Sequence, residues 1–101
     1  MQIPAHLLQD RYWKPVLYLF QKHPKLSQCF HEDYFDLKDE RIKAQTLKAD
    51  SRFWSNGEKI MLGLALHLYN ERYKFNLSDM DSLDPINLEM ALQAIKLRFL
   101  R

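Results

Sequence analysis

Glycine, proline and cysteine are all scarce in this sequence. Two glycines and four prolines among 101 residues exclude a low-complexity linker. So few glycines also argue against an all-β fold, which needs many tight turns. The single cysteine, Cys29, excludes an intramolecular disulfide and points to a reducing compartment. Long apolar runs are missing too. The longest, allowing one glycine, is Ile60–Leu66, far short of the roughly 20 residues that a membrane span takes. The start, MQIPAHLLQDRYW, lacks a basic stretch followed by an apolar one. No signal peptide is read there, no membrane association is expected, and cytoplasm is the expected location.

What is present suits one small domain over residues 1–101, large enough to bury a core without disulfides or metal. Hydrophobic residues make up 47% and charged residues 28%, as in ordinary globular proteins. The net charge of +2 says less than its distribution. Residues 1–30 carry four positive charges and one negative, residues 31–40 five negative and one positive, and residues 41–59 five positive and two negative. A chain blocked in this way is not uniformly basic, which weakens a simple nucleic-acid reading.

Apolar periodicity predicts a mainly α-helical bundle of four to five helices around a central helix. Leu8, Tyr12, Val16, Leu19 and Phe20 fall at helical spacing. Pro15 interrupts them, which predicts a break near Trp13–Lys14 and a second helix to about Lys22, ended by Pro24. A brief turn around Leu26–Phe30 fits the following residues. Residues 31–54 read as irregular, with a short extended piece around Tyr34–Leu37 and a helix near 40–49. The clearest helix spans about 55–72. Ser55-Asn56-Gly57-Glu58 matches the capping box, in which serine and glutamate each satisfy the other's free amide. Apolar residues then cover most of the circumference, leaving a strip through Lys59, Gly63, His67 and Asn70. A helix this apolar must be surrounded by other elements. Asn76–Asp84 reads as a polar loop with one helical turn starting at Ser78. Asp84 and Pro85 suit the start of a last helix over 85–100. Its core face is expected at Leu88, Ala91, Leu92, Ile95 and Phe99.

Chemical motifs are weak. His6, His23, His31 and His67 are scattered, and Cys29 with His31, Glu32 and Asp33 lacks any zinc spacing, so no metal site is expected. Cys29 and His31 are close in sequence, but nucleophile and base usually meet from different segments. Asp79, Asp81 and Asp84 lack the glycine and distal glutamate of a calcium loop. Gly57 lies where an anion could approach a helix start, yet Ser55 and Glu58 already serve those amides. His67, on the polar strip of the central helix, reads as a partly buried hydrogen-bonding residue. No catalytic residue, cofactor or small-molecule substrate is inferred.

Two surfaces suggest binding. On the last helix Ile86, Met90 and Leu97, with Leu100 nearby, form a second apolar stripe. Such a helix is either sandwiched inside the domain or presents one face to a partner. The alternative is a nucleic-acid surface at Arg11, Lys14, Lys22 and Lys25, with Tyr12, Trp13 and Tyr18 interleaved.

The stretch FWSNGEKIMLGLALHLYN, followed by a polar loop and LDPINLEMALQAIKLRF, resembles the C-terminal half of an uncharacterised family of short bacterial proteins. The match covers residues 53–99. The resemblance implies a bacterial or phage source and brings no activity, ligand or catalytic residue with it. The reading favoured by the residues is a non-catalytic protein–protein interaction domain, binding another protein or itself. A nucleic-acid-binding regulator comes second and a small enzyme third.

Overall fold

Asp10 starts the first helix. Its carboxylate accepts the backbone amides of Tyr12 and Trp13, each at 2.9 Å, and α1 (Trp13–Lys22) follows. The computed structural model describes residues 1–100. In it Pro15 stands in the first turn of α1, where a missing N–H costs no hydrogen bond. The expected break at Trp13–Lys14 is therefore where a helix begins. The residues before it form only a 3-10 turn at Ala5–Leu8.

Pro24 does not simply end a helix; it opens the next one, α2 (Pro24–Ser27). The preceding His23 is the N-cap. Its ring nitrogen Nδ1 accepts from the amides of Lys25 at 3.2 Å and Leu26 at 3.3 Å. The segment expected to be irregular holds a two-stranded antiparallel hairpin, β1 (Phe35–Asp36) and β2 (Arg41–Ile42), and then α3 (Ala44–Asp50). The hairpin turn needs Glu40 at φ 55°, a left-handed conformation that costs a non-glycine residue some energy. Phe35 anchors the hairpin inward, edge-on to Phe20 and Phe30 with ring centroids 4.8 and 5.0 Å away. Tyr34 ties it to α3 by donating to Asp50.

The central helix is α4 (Asn56–Tyr69). Both halves of the capping box form: the Glu58 amide donates to Ser55 Oγ at 3.3 Å, and the Ser55 amide to Glu58 Oε1 at 3.0 Å. Ile60, Met61, Leu62, Leu64, Ala65, Leu66 and Leu68 are all buried. The helix stops short of residue 72, because Asn70 turns extended and its side chain accepts from the Arg72 amide at 3.0 Å. A 3-10 turn, Leu77–Ser82, is capped by Asn76. Asp84 accepts from the Asn87 amide at 2.8 Å and starts α5 (Pro85–Phe99).

The fold is a mainly α-helical small domain. α1 packs on α2, α4 and α5, and α4 packs on α2, α5 and the Leu77–Ser82 turn. The α1–α4 pair thus makes the centre, with Val16, Leu19, Phe20, Met61, Ala65 and Leu66 almost wholly buried. Among the described residues no helix is long and apolar enough to cross a membrane.

Gly63 lies in the middle of α4, where glycine is less favourable than alanine by about 1 kcal/mol. A methyl group there would meet Phe75 at 3.7 Å, an ordinary contact. Gly63→Ala is expected to raise stability by about 0.5–1 kcal/mol in urea denaturation. A loss of stability would show instead that Phe75 needs the space.

Candidate interaction surface

α5 carries large apolar residues almost all round, and two alanines decide how it sits. Ala91 and Ala94 are its only fully buried residues. They are about one turn apart on a helix of about 3.6 residues per turn, and their small side chains suit a close approach to α1 and α4. Larger residues stand on both flanks: Leu88, Leu92, Ile95 and Phe99 on one, Ile86, Met90 and Leu97 on the other, with Leu100 beyond. Leu92 is 50% and Phe99 60% exposed, Ile86 72% and Leu100 71%. Leu88, Met90, Ile95 and Leu97 are half-buried, and Met90 and Ile95 pack against the core.

The expected core face is therefore corrected at Leu92 and Phe99. Periodicity finds both apolar flanks but cannot tell which direction faces inward. The contact line falls between them, through the alanines. Of the sequence-predicted interaction residues, Ile86 and Leu100 are exposed, while Met90 and Leu97 are half-buried. The outward row Leu92–Phe99 was not part of that prediction.

The basic residues of the alternative surface lie at two ends of α1. Arg11 donates to the hydroxyl of Tyr12 at 3.3 Å and stacks on its ring, 5.1 Å from the centroid. Arg98 lies over the same ring at 4.2 Å and over Phe99 at 4.5 Å. Lys22 and Lys25 are at the far end, a helix length of roughly 15 Å away, and Lys25 Nζ sits over Trp54 at 5.6 Å. Lys14 is exposed. Trp13 is buried and edge-on to Tyr69, and Tyr18 packs against the core. Trp13 is thus committed to the core, while Tyr18 is half-buried and lines a cleft with Lys22.

The residues weighed for chemistry are not brought together. Cys29 is buried, and burial pushes its thiol up. His31 is exposed, its Nδ1 accepting from the Asp33 amide at 3.3 Å. His67 Nδ1 meets the Tyr73 carbonyl oxygen at 2.8 Å and its ring stacks on Phe75, which requires the proton on Nδ1. Among the described residues no three His, Cys, Asp or Glu side chains gather as a metal site would need. Asp79 and Asp81 lie in the Leu77–Ser82 turn, and Asp84 caps α5.

His23 is the residue that sequence reasoning passed over. It is 3% exposed and lines an open cleft of about 490 Å³ together with Ser55, Glu58, Asp84 and Asn87. The starts of α2, α4 and α5 meet there. Because Nδ1 accepts two amides, the ring must be neutral with its proton on Nε2. Burial holds its pKa below the ordinary 6.5, while the side chain of Asn87 and the carboxylates of Glu58 and Asp84 pull the other way. The signal available in sequence was the His23-Pro24 pair: a cap acceptor followed by proline at the first helical position.

No protein-family model, curated protein or solved structure matches the chain. Its geometry is therefore the ground for a functional reading.

His23 makes stability pH-dependent. A group whose folded pKa lies below its unfolded value binds more protons when unfolded, so acid favours unfolding. Its share of stability is complete above about pH 6.5 and declines as pH falls below that, by at most about 1.4 kcal/mol per pH unit. His23→Asn keeps a cap acceptor without the titration. Urea denaturation at several pH values between neutral and mildly acidic is expected to show a shallower decline for His23→Asn than for the wild type. Equal slopes would exclude a buried neutral imidazole.

Proposed function

We propose that this protein is an interaction domain that presents α5 to another protein surface. The carrying observation is that α5 buries only its two alanines fully and leaves Ile86, Leu92, Phe99 and Leu100 half or more exposed. Three large apolar side chains on one helix, with Leu100 just past its end, leave apolar surface of the kind that marks interaction sites. A helix held from beneath, with apolar rows exposed along its sides, suits helix-to-helix recognition. The cleft that gathers His23, Ser55, Glu58 and Asp84 uses those groups as helix caps, so the surface of α5 is the feature best fitted to a function.

A photo-crosslinking amino acid placed at Leu92 or Ile86, in the chain expressed in cells, tests this. The expected result is a discrete crosslinked species, either to a second copy or to another protein. It should disappear when Phe99 or Leu100 is also changed to lysine, while circular dichroism shows an intact fold. Only a diffuse background of crosslinks would overturn the reading.

A further inference from the structure

We propose that the surface α5 docks onto is α5 of a second copy of this chain, the two helices running antiparallel along Leu88, Leu92, Ile95 and Phe99. This rests on the reading of α5 as the docking helix and adds its partner.

The row has the spacing that a paired helix needs. Leu88, Leu92, Ile95 and Phe99 follow one another by four, three and four residues, the a/d repeat that keeps one stripe facing a partner helix. Leu92 and Phe99, the two a-type positions, are the ones left 50% and 60% exposed. The opposite row, Ile86, Met90, Leu97 and Leu100, is less suited. Gln93 interrupts it and Leu100 lies past the helical end, whereas the Leu88–Phe99 row is unbroken along the helix, with Ile95 also packing against its own core.

Charge selects the partner and the direction. Glu89 and Lys96 each follow a d-type residue and border the row on its solvent side. Both are exposed. They are seven residues apart, about 10 Å along the axis, and among the described residues neither forms an ion pair within its own chain. In an antiparallel pair with Leu92 opposite Ile95 and Leu88 opposite Phe99, Glu89 of each copy meets Lys96 of the other. Two-fold symmetry forms this contact twice. One helix thus carries both halves of a complementary pair in the places its own antiparallel copy requires.

The test is sedimentation of the purified full chain from micromolar to millimolar concentration, with Glu89→Lys, Lys96→Glu and the double swap. These positions are exposed, so all four proteins should fold alike by circular dichroism. The wild type is expected to dimerise. Each single reversal sets two like-charge contacts against each other and should weaken the dimer by about tenfold, and the double swap should restore it. A wild type that stays monomeric throughout overturns the inference, as does a dimer indifferent to the single reversals or not recovered by the swap. If the chain is monomeric yet crosslinks from Leu92 to a different protein in cells, the inference fails while the interaction reading stands. If it neither dimerises nor crosslinks, both fall.

Discussion

Covering α4 is the constraint from which the rest of the structure follows. Its apolar residues point in nearly every direction, so no single neighbour can shield it. The chain has few elements to spend on the task, and a domain of this size buries a smaller share of its surface than a large one. α1 and α5 take most of it, and α2 and the Leu77–Ser82 turn also pack on it. α5 reaches α4 and α1 together by contacting them through Ala91 and Ala94. Close approach through small residues leaves its own leucines, isoleucine and phenylalanine at the margins. The exposed rows of α5 are thus the other side of the solution that buries α4.

The starts of the helices meet at one corner, where they need several donors satisfied in a small volume. The Ser55–Glu58 box, the Asp84 carboxylate and the His23 ring each answer for one helix. One cap is an acid, one a hydroxyl backed by the Glu58 carboxylate, and one a neutral base. Glu58 is held below the usual carboxylate range chiefly by the Ser55 amide, so it stays ionised beside His23. With the His23 ring neutral and Glu58 ionised, both accept the amides that this corner presents.

Local features of this fold were legible in the sequence. The Ser55 capping box, the Asp84-Pro85 start and a helical turn within 76–84 depend on residues a few positions apart, and all three are present. Proline was harder to read, because it marks both an end and a beginning. Pro24 opens α2 since His23 supplies the cap, and Pro15 is tolerated since Asp10 begins α1 earlier than the apolar pattern suggests. The inward face of α5 was illegible for another reason. Leu92 and Ala91 are neighbours in the same pattern, and only the depth of packing against α1 and α4 distinguishes the residue that is buried from the one left outside. The functional candidates follow the same rule. Cys29 and His31 look like a pair when read along the chain, and the fold turns one inward and the other out. His23 looks like one of four scattered histidines until three helix starts converge on it.

The passage from α4 to α5 bears on how such a surface would work. His67 holds the Tyr73 carbonyl and stacks on Phe75, Asn76 caps the following turn, and Met80 and Leu83 pack against the core. Residues 70–84 are therefore a strut and not a tether. α5 is thereby fixed in place at its start, with its backbone already helical before any docking. Docking onto a preorganised helix loses little further chain entropy. The ordering takes place once, during folding, and leaves the encounter itself close to a rigid fit.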